Sequence, residues 1–196
     1  MGDVFTIKDA WAGGFYELAL AFAPPADQAL SADLTTLWSL PGLQGCYLRP
    51  DVEPASQPRL APSLAALDSA GHPRRVAVLP NGKSVACGTH RVPEEGGPDW
   101  LGFYVPLGSL GTAYDVGGYP FETGPASARW RRPLEDWFAG IGRVVSTQVA
   151  FQLGLVGFEV SGETSPQKLQ VSGIPDPRGL GYLWPARGTL LWYPTN

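Results

Sequence analysis

Bulky apolar residues recur at every second position of GFYELALAFAPP (14–25). Tyr16, Leu18, Leu20 and Phe22 fall on one side, and Phe15, Glu17, Ala19 and Ala21 on the other. Period two predicts a strand with one strongly apolar face, ended by the paired prolines. Across DQALSADLTTLWSLPG (27–42) the spacing turns helical, with Leu30, Leu34, Leu37 and Trp38 on one stripe. Asp27 is placed to cap that helix and Pro41-Gly42 to end it. QGCYLR (44–49) predicts a return strand. Residues 50–73 are rich in proline and predict a surface excursion, with SLAAL (63–67) making one helical turn.

RVAVLPNGKSVACGTHRV (75–92) sets Asn81-Gly82 between two apolar runs, the dipeptide of a two-residue type I′ hairpin. DWLGFYVPL (99–107) alternates again, with Leu101, Phe103, Val105 and Leu107 opposite Trp100 and Tyr104. Residues 108–130 read as a long Gly/Tyr/Pro loop, of the kind that more often serves function than mere connection. In RPLEDWFAGIGRVVSTQV (132–149), Pro133 suits the first helical position and Glu135 and Asp136 the first turn. Leu134, Trp137, Phe138, Ile141, Val144 and Val145 form its apolar stripe. FQLGLVGFEVSGE (151–163) predicts a strand apolar on both faces, hence central. A polar loop (161–178) follows, and GYLWPARGTLLWYP (181–194) predicts a closing hairpin that turns around Pro185–Gly188.

The order strand, helix, strand, hairpin, strand, helix, strand, hairpin predicts an α+β fold. Its expected form is a largely antiparallel sheet with two main helices packed on one face. The chain reads as one domain, 1–196, with pseudo-halves 1–92 and 99–196 in a pseudo-duplicated strand–helix–strand–strand arrangement. At the level of fold alone, that pattern resembles the gyrase-inhibitor-like family. The resemblance implies a cleft between the halves for small amphipathic ligands; no residue motif of that family is present.

Composition narrows the function classes. A formal charge of −4, with only 14 Lys and Arg, offers no basic face for nucleic acid or an anionic membrane. No apolar run approaches a membrane span, and the opening MGDVFTIKDAWAGG lacks the apolar stretch of a signal peptide. The expectation is a cytoplasmic protein without a cofactor, as a monomer or a homodimer. Cys46 and Cys87, the only cysteines, are expected as free half-buried thiols.

Most catalytic arrangements fail on spacing. Cys87 and His90 are three positions apart on one strand and therefore face opposite ways. Cys46, His72, Cys87 and His90 match no compact zinc pattern, and no phosphate-cradling glycine motif or nucleophile elbow occurs. Arg129, Arg131 and Arg132, read as lying just before a helix N-terminus, make a candidate anion seat that Glu135 and Asp136 are placed to neutralise. Glu159 is expected either to emerge where its strand runs out at Ser161-Gly162, or to face a cleft. In the cleft, Glu159 and Glu17 would meet Trp100 and Tyr104 and bind an amphipathic small molecule, cations included. That ligand-binding module is the leading expectation. The alternatives are an adaptor docking through GTAYDVGGYPF (111–121), and a hydrolase or transferase. The enzyme would need His72 or His90 within reach of an acid or of Cys87.

Overall fold

A computed structural model of the chain describes residues 3–70, 72–117 and 125–196. All eight strands lie in one antiparallel sheet. In chain order they are β1 (Phe15–Phe22), β2 (Leu43–Tyr47), β3 (Arg74–Val78), β4 (Ser84–Pro93), β5 (Asp99–Pro106), β6 (Leu153–Phe158), β7 (Gly181–Ala186) and β8 (Thr189–Tyr193). Among the described residues they are joined by five α-helices: α1 (Asp27–Ser39), α2 (Leu64–Ala70), α3 (Leu107–Gly111), α4 (Pro125–Ser146) and α5 (Pro166–Ser172). No helix of the described residues is long and apolar enough to cross a membrane.

The sheet order is β2-β3-β4-β5-β1-β6-β7-β8. After α1 the chain goes to the edge and meanders inward through β2 to β5. After α4 it enters beside β1 and meanders outward through β6 to β8. The halves thus share element content but not strand order. The apolar face of β1 predicted from its alternation joins the main core: Tyr16, Leu18, Leu20 and Phe22 cluster with Leu30, Leu34 and Leu37 of α1 and Leu134, Phe138 and Ile141 of α4.

The opposite face is far from bare. Ala19, Ala21, Trp100, Leu153 and Leu155 form a second cluster with Leu169 of α5. Val4 and Phe5 form a third with Val76 and Ala86. The segment between β6 and β7, expected as a polar loop, therefore carries α5, begun by Ser165, whose hydroxyl accepts from the Lys168 amide. Covering matter lies at both flanks of this face, and the polar residues of the candidate site lie between.

Three turns and helix ends differ from expectation. The β3–β4 turn closes with the Gly82 amide donating to the Leu79 carbonyl at 2.8 Å, so Pro80 and Asn81 are its central residues. Gly82 alone takes a positive φ, of 80°. Proline at the first central position pre-sets the ordinary turn, and the glycine follows it as a bulge. The doubly positive turn occurs instead between β7 and β8, at Arg187 (φ 49°) and Gly188 (φ 80°).

Most of the expected 108–130 loop that is described is helical. α3 occupies its start and α4 begins at Pro125, so Pro133 lies inside the helix rather than at its first position. Proline there costs one backbone hydrogen bond, which the long apolar stripe outweighs. The adaptor segment 111–121 lies partly outside the described residues, from 118 onward.

A further structural device was invisible to periodicity. Arg75 is fully buried on the helix side of β3, and no carboxylate faces it among the described residues. Its Nε donates to the Gly45 carbonyl at 3.0 Å and its terminal nitrogens to Leu37, Trp38 and Leu43 at 3.1–3.2 Å. The guanidinium thus ties the carbonyls at the end of α1 to β2, supplying donors the helix terminus lacks, and it stacks over Trp38.

Candidate functional site

Side-chain alternation decides which residues of the central strands meet on the second face. Glu17 on β1, His90 on β4 and Tyr104 on β5 all point there, while Cys87 joins the helix-side core. Burial pushes the Cys87 thiol up to about 12, which leaves it unreactive at neutral pH. Gly102, paired with His90 across the β4–β5 ladder, makes room for the encounter. A Cβ at that position would sit 2.3 Å from His90 Cε1 and 2.6 Å from Glu17 Oε2.

Glu17 Oε2 lies 3.3 Å from His90 Nε2, with both side chains almost wholly excluded from solvent. The Ser161 amide donates to Glu17 Oε1 at 2.9 Å, and its hydroxyl lies 3.1 Å from each carboxyl oxygen and 3.5 Å from His90 Nε2. Desolvation pushes Glu17 up to about 7 against the opposing pull of Ser161. Desolvation, and then the charge of His72, holds His90 down to about 4. At neutral pH the imidazole is uncharged. The contact is therefore a hydrogen bond from a carboxyl close to half-protonated, not a settled ion pair.

The acid that a hydrolase reading requires is thus within reach of His90. The arrangement is nevertheless not a serine triad. Serine and acid crowd the same ring nitrogen, whereas a triad places them on opposite nitrogens, and His90 Nδ1 has no hydrogen-bond partner among the described residues.

Next to His90 lies a cavity of about 240 Å³, with Trp11, Gly14, Phe15, His72, Arg74 and Tyr104 among the residues that line it. His72 Nδ1 and Tyr104 Oη are 3.2 Å apart, and the His90 ring lies 5.2–5.6 Å from Phe15, His72 and Tyr104. Two larger hollows lack comparable chemistry. One of about 280 Å³ is wholly apolar, between the end of α1 and α4, and one of about 340 Å³ lies against the β7–β8 turn. Among the described residues no group of three or more His, Cys, Asp or Glu could hold a metal ion.

The residues expected in the cleft are only partly brought together. Tyr104 lines the cavity and Glu17 lies on the same sheet face, tied to His90 beside it. Trp100 does not join them: it is fully buried in the second cluster, its indole donating to Glu94 at 3.2 Å. Glu159 is exposed beyond the end of β6, with φ 47°, and its carboxylate rests against Gly14. The strand stops one residue before it, so the alternation that aligned it with Leu155 no longer holds. The arginine seat also changes character. Arg129, Arg131 and Arg132 lie in the second and third turns of α4, not before an N-terminus, and Arg129 and Arg132 are exposed. Glu135 is buried and accepts from Tyr16 at 2.6 Å and Thr195 at 2.7 Å, and Arg131 reaches the same Tyr16 side chain.

Ser161, Trp11 and Arg74 were not anticipated as site residues, and His72 and His90 only as the residues a hydrolase or transferase would need. One signal did point to the place: Gly88, Gly102 and Gly157 each interrupt an apolar strand, and a mid-strand glycine marks a close approach. Compared with protein-family models, curated proteins and solved structures, the chain matches none of them.

Proposed function

We propose that the protein binds a small amphipathic molecule in the cavity over Tyr104, with its apolar part against Trp11 and Phe15 and its polar part toward His72. One observation carries this reading: an aromatic-walled cavity with convergent polar groups, whose Phe15, His72 and Tyr104 walls pack against the His90 ring of the buried Glu17–His90 pair. Sites of that composition are the usual form of small-ligand sites. A dry cavity of about 150 Å³ already accepts benzene, so about 240 Å³ holds one ring with a short polar arm.

The test is a thermal-shift series with indole, 3-phenylpropionate, 3-phenylpropionamide and phenethylamine. Ligand at a hundredfold excess over its Kd stabilises the native state by about 2.7 kcal/mol. For a chain of this size that corresponds to a rise in Tm of roughly 5–10 °C. His72→Trp places an indole in the cavity and is expected to abolish the rise while leaving the unliganded Tm within a few degrees. Compounds that shift both proteins equally would place binding elsewhere and refute the reading.

A further inference from the structure

The sign of the charge inside the cavity is set by one residue. Arg74 opens β3, paired with Tyr47 and Gly88, and its side chain faces the cavity side of the sheet beside Val76. One terminal nitrogen donates to the Leu48 carbonyl, and the guanidinium carbon lies 5.4 Å from the centre of the Trp11 ring. Its Nε is buried and has no hydrogen-bond partner, and no carboxylate stands within 4 Å of it among the described residues. Asp51, which feels the Arg74 charge, is committed to Arg49 at 2.9 Å.

The rest of the lining supplies no balancing charge. Its lining residues include no carboxylate among the described residues; the Glu159 carboxylate, beside the lining residue Gly14, is exposed to solvent and screened there. His72 is held below its ordinary basicity by burial first and then by Arg74, so it is a neutral donor or acceptor. Tyr104 keeps its proton because burial raises it far above the ordinary phenol range. A cationic ligand would meet the Arg74 charge in a partly dehydrated space, where repulsion is poorly screened. A neutral ligand would leave Nε unmet. A carboxylate satisfies both conditions, because the planar guanidinium presents paired donors that match its two oxygens.

Building on the binding reading above, we infer that the ligand is an anion: a small carboxylic acid with an aromatic or branched apolar body, its carboxylate on Arg74 and its body between Phe15 and Trp11. The ligand sign is thus opposite to the one a Glu159-lined cleft would select. The His90 ring, whose buried Nδ1 has no hydrogen-bond partner among the described residues, packs against the rings of Phe15, His72 and Tyr104.

The experiment titrates the full chain with three isosteric probes, 3-phenylpropionate, 3-phenylpropionamide and phenethylamine, by calorimetry at constant ionic strength. The expected result is at least tenfold tighter binding of the acid than of the amide, and weaker binding still of the amine. Arg74→Gln is expected to erase the preference for the acid, and Arg74→Lys to retain part of it. The inference is overturned if amide or amine equals the acid, or if Arg74→Gln leaves the preference intact. The probe comparison needs no variant, so it stands even where a substitution disturbs folding. If amide or amine binds and His72→Trp blocks it, the small-ligand reading survives and only the anion is wrong. If none of the three binds, both fall.

Discussion

The buried Glu17–His90 pair makes a quantitative prediction about stability and pH. In the unfolded chain Glu17 titrates near 4.5 and His90 near 6.5; in the fold they titrate near 7 and near 4. A tenfold change in proton affinity is worth about 1.4 kcal/mol, so each group is linked to folding by about 3 kcal/mol. Glu17 is raised, so its contribution is fully present below pH 4.5 and is lost as pH rises through 7. His90 is depressed, so its contribution is fully present above pH 6.5 and is lost as pH falls through 4. Between pH 4.5 and 6.5 the native pair and the unfolded pair bind the same number of protons, one each way. The two slopes therefore cancel, and the pair's contribution is flat across that window.

Single substitutions expose the hidden slopes. Glu17→Gln removes the Glu17 slope, so stability relative to wild type should climb by about 3 kcal/mol from pH 4.5 to 7. His90→Gln removes the His90 slope, and the difference should fall by about the same amount from pH 4 to 6.5. Urea unfolding followed by circular dichroism at half-unit pH steps gives both difference curves, in which all unchanged groups drop out. Gly102→Ala is the geometric control: its methyl group would push the two side chains apart and cost about 1–3 kcal/mol, with a loss of the flat window. Difference curves parallel to the wild type for both Gln variants would refute the buried, proton-sharing pair.

Two further substitutions test buried charges elsewhere in the fold. Arg75→Met removes four hydrogen bonds to carbonyls at the end of α1 and in β2, and a loss of about 3–5 kcal/mol is expected in urea unfolding, with Arg75→Lys recovering only part; a loss under 1 kcal/mol would show that water serves those carbonyls equally well. Asp33 lies on the buried face of α1, neither oxygen has a hydrogen-bond partner among the described residues, and burial alone pushes its carboxyl from 3.8 up to about 8. Since a raised acid stabilises only while protonated, its contribution is present below pH 3.8 and lost as pH rises through 8. Asp33→Leu should raise stability at pH 7 by roughly 1–4 kcal/mol and flatten that decline, and a less stable leucine variant would refute the unpaired-acid reading.

How far the candidate site was legible follows from what each residue's neighbours depend on. Glu17 and Tyr104 were readable as far-face residues because alternation within one strand is a local property. Their company was not: Trp100 and Tyr104 share a face of β5, yet one enters the second cluster and the other the cavity wall. Glu159 emerges into solvent where β6 runs out, one of the two outcomes expected of it, while its place in a cleft with Trp100 is lost to the left-handed residue that follows β6. His90 was correctly separated from Cys87, but the partners of His90 and His72, Glu17 and Tyr104, lie 73 and 32 positions away along the chain, beyond the reach of any spacing rule.

From its residues alone this chain determined the period of the strands, the apolar face of β1, the stripes of the two long helices and the antiparallel α+β class, though not the short helices α3 and α5. Those are set by interactions within about one turn or one strand pair, where side-chain direction follows directly from backbone geometry. Only the tertiary structure decided that β1 lies between β5 and β6, that Gly102 opens a space for His90 against Glu17, and that Arg74 and Trp11 wall the same cavity. Such encounters join residues far apart in sequence. Their choice rests on how eight strands order themselves over two shared cores, a global balance of burial that no local window contains.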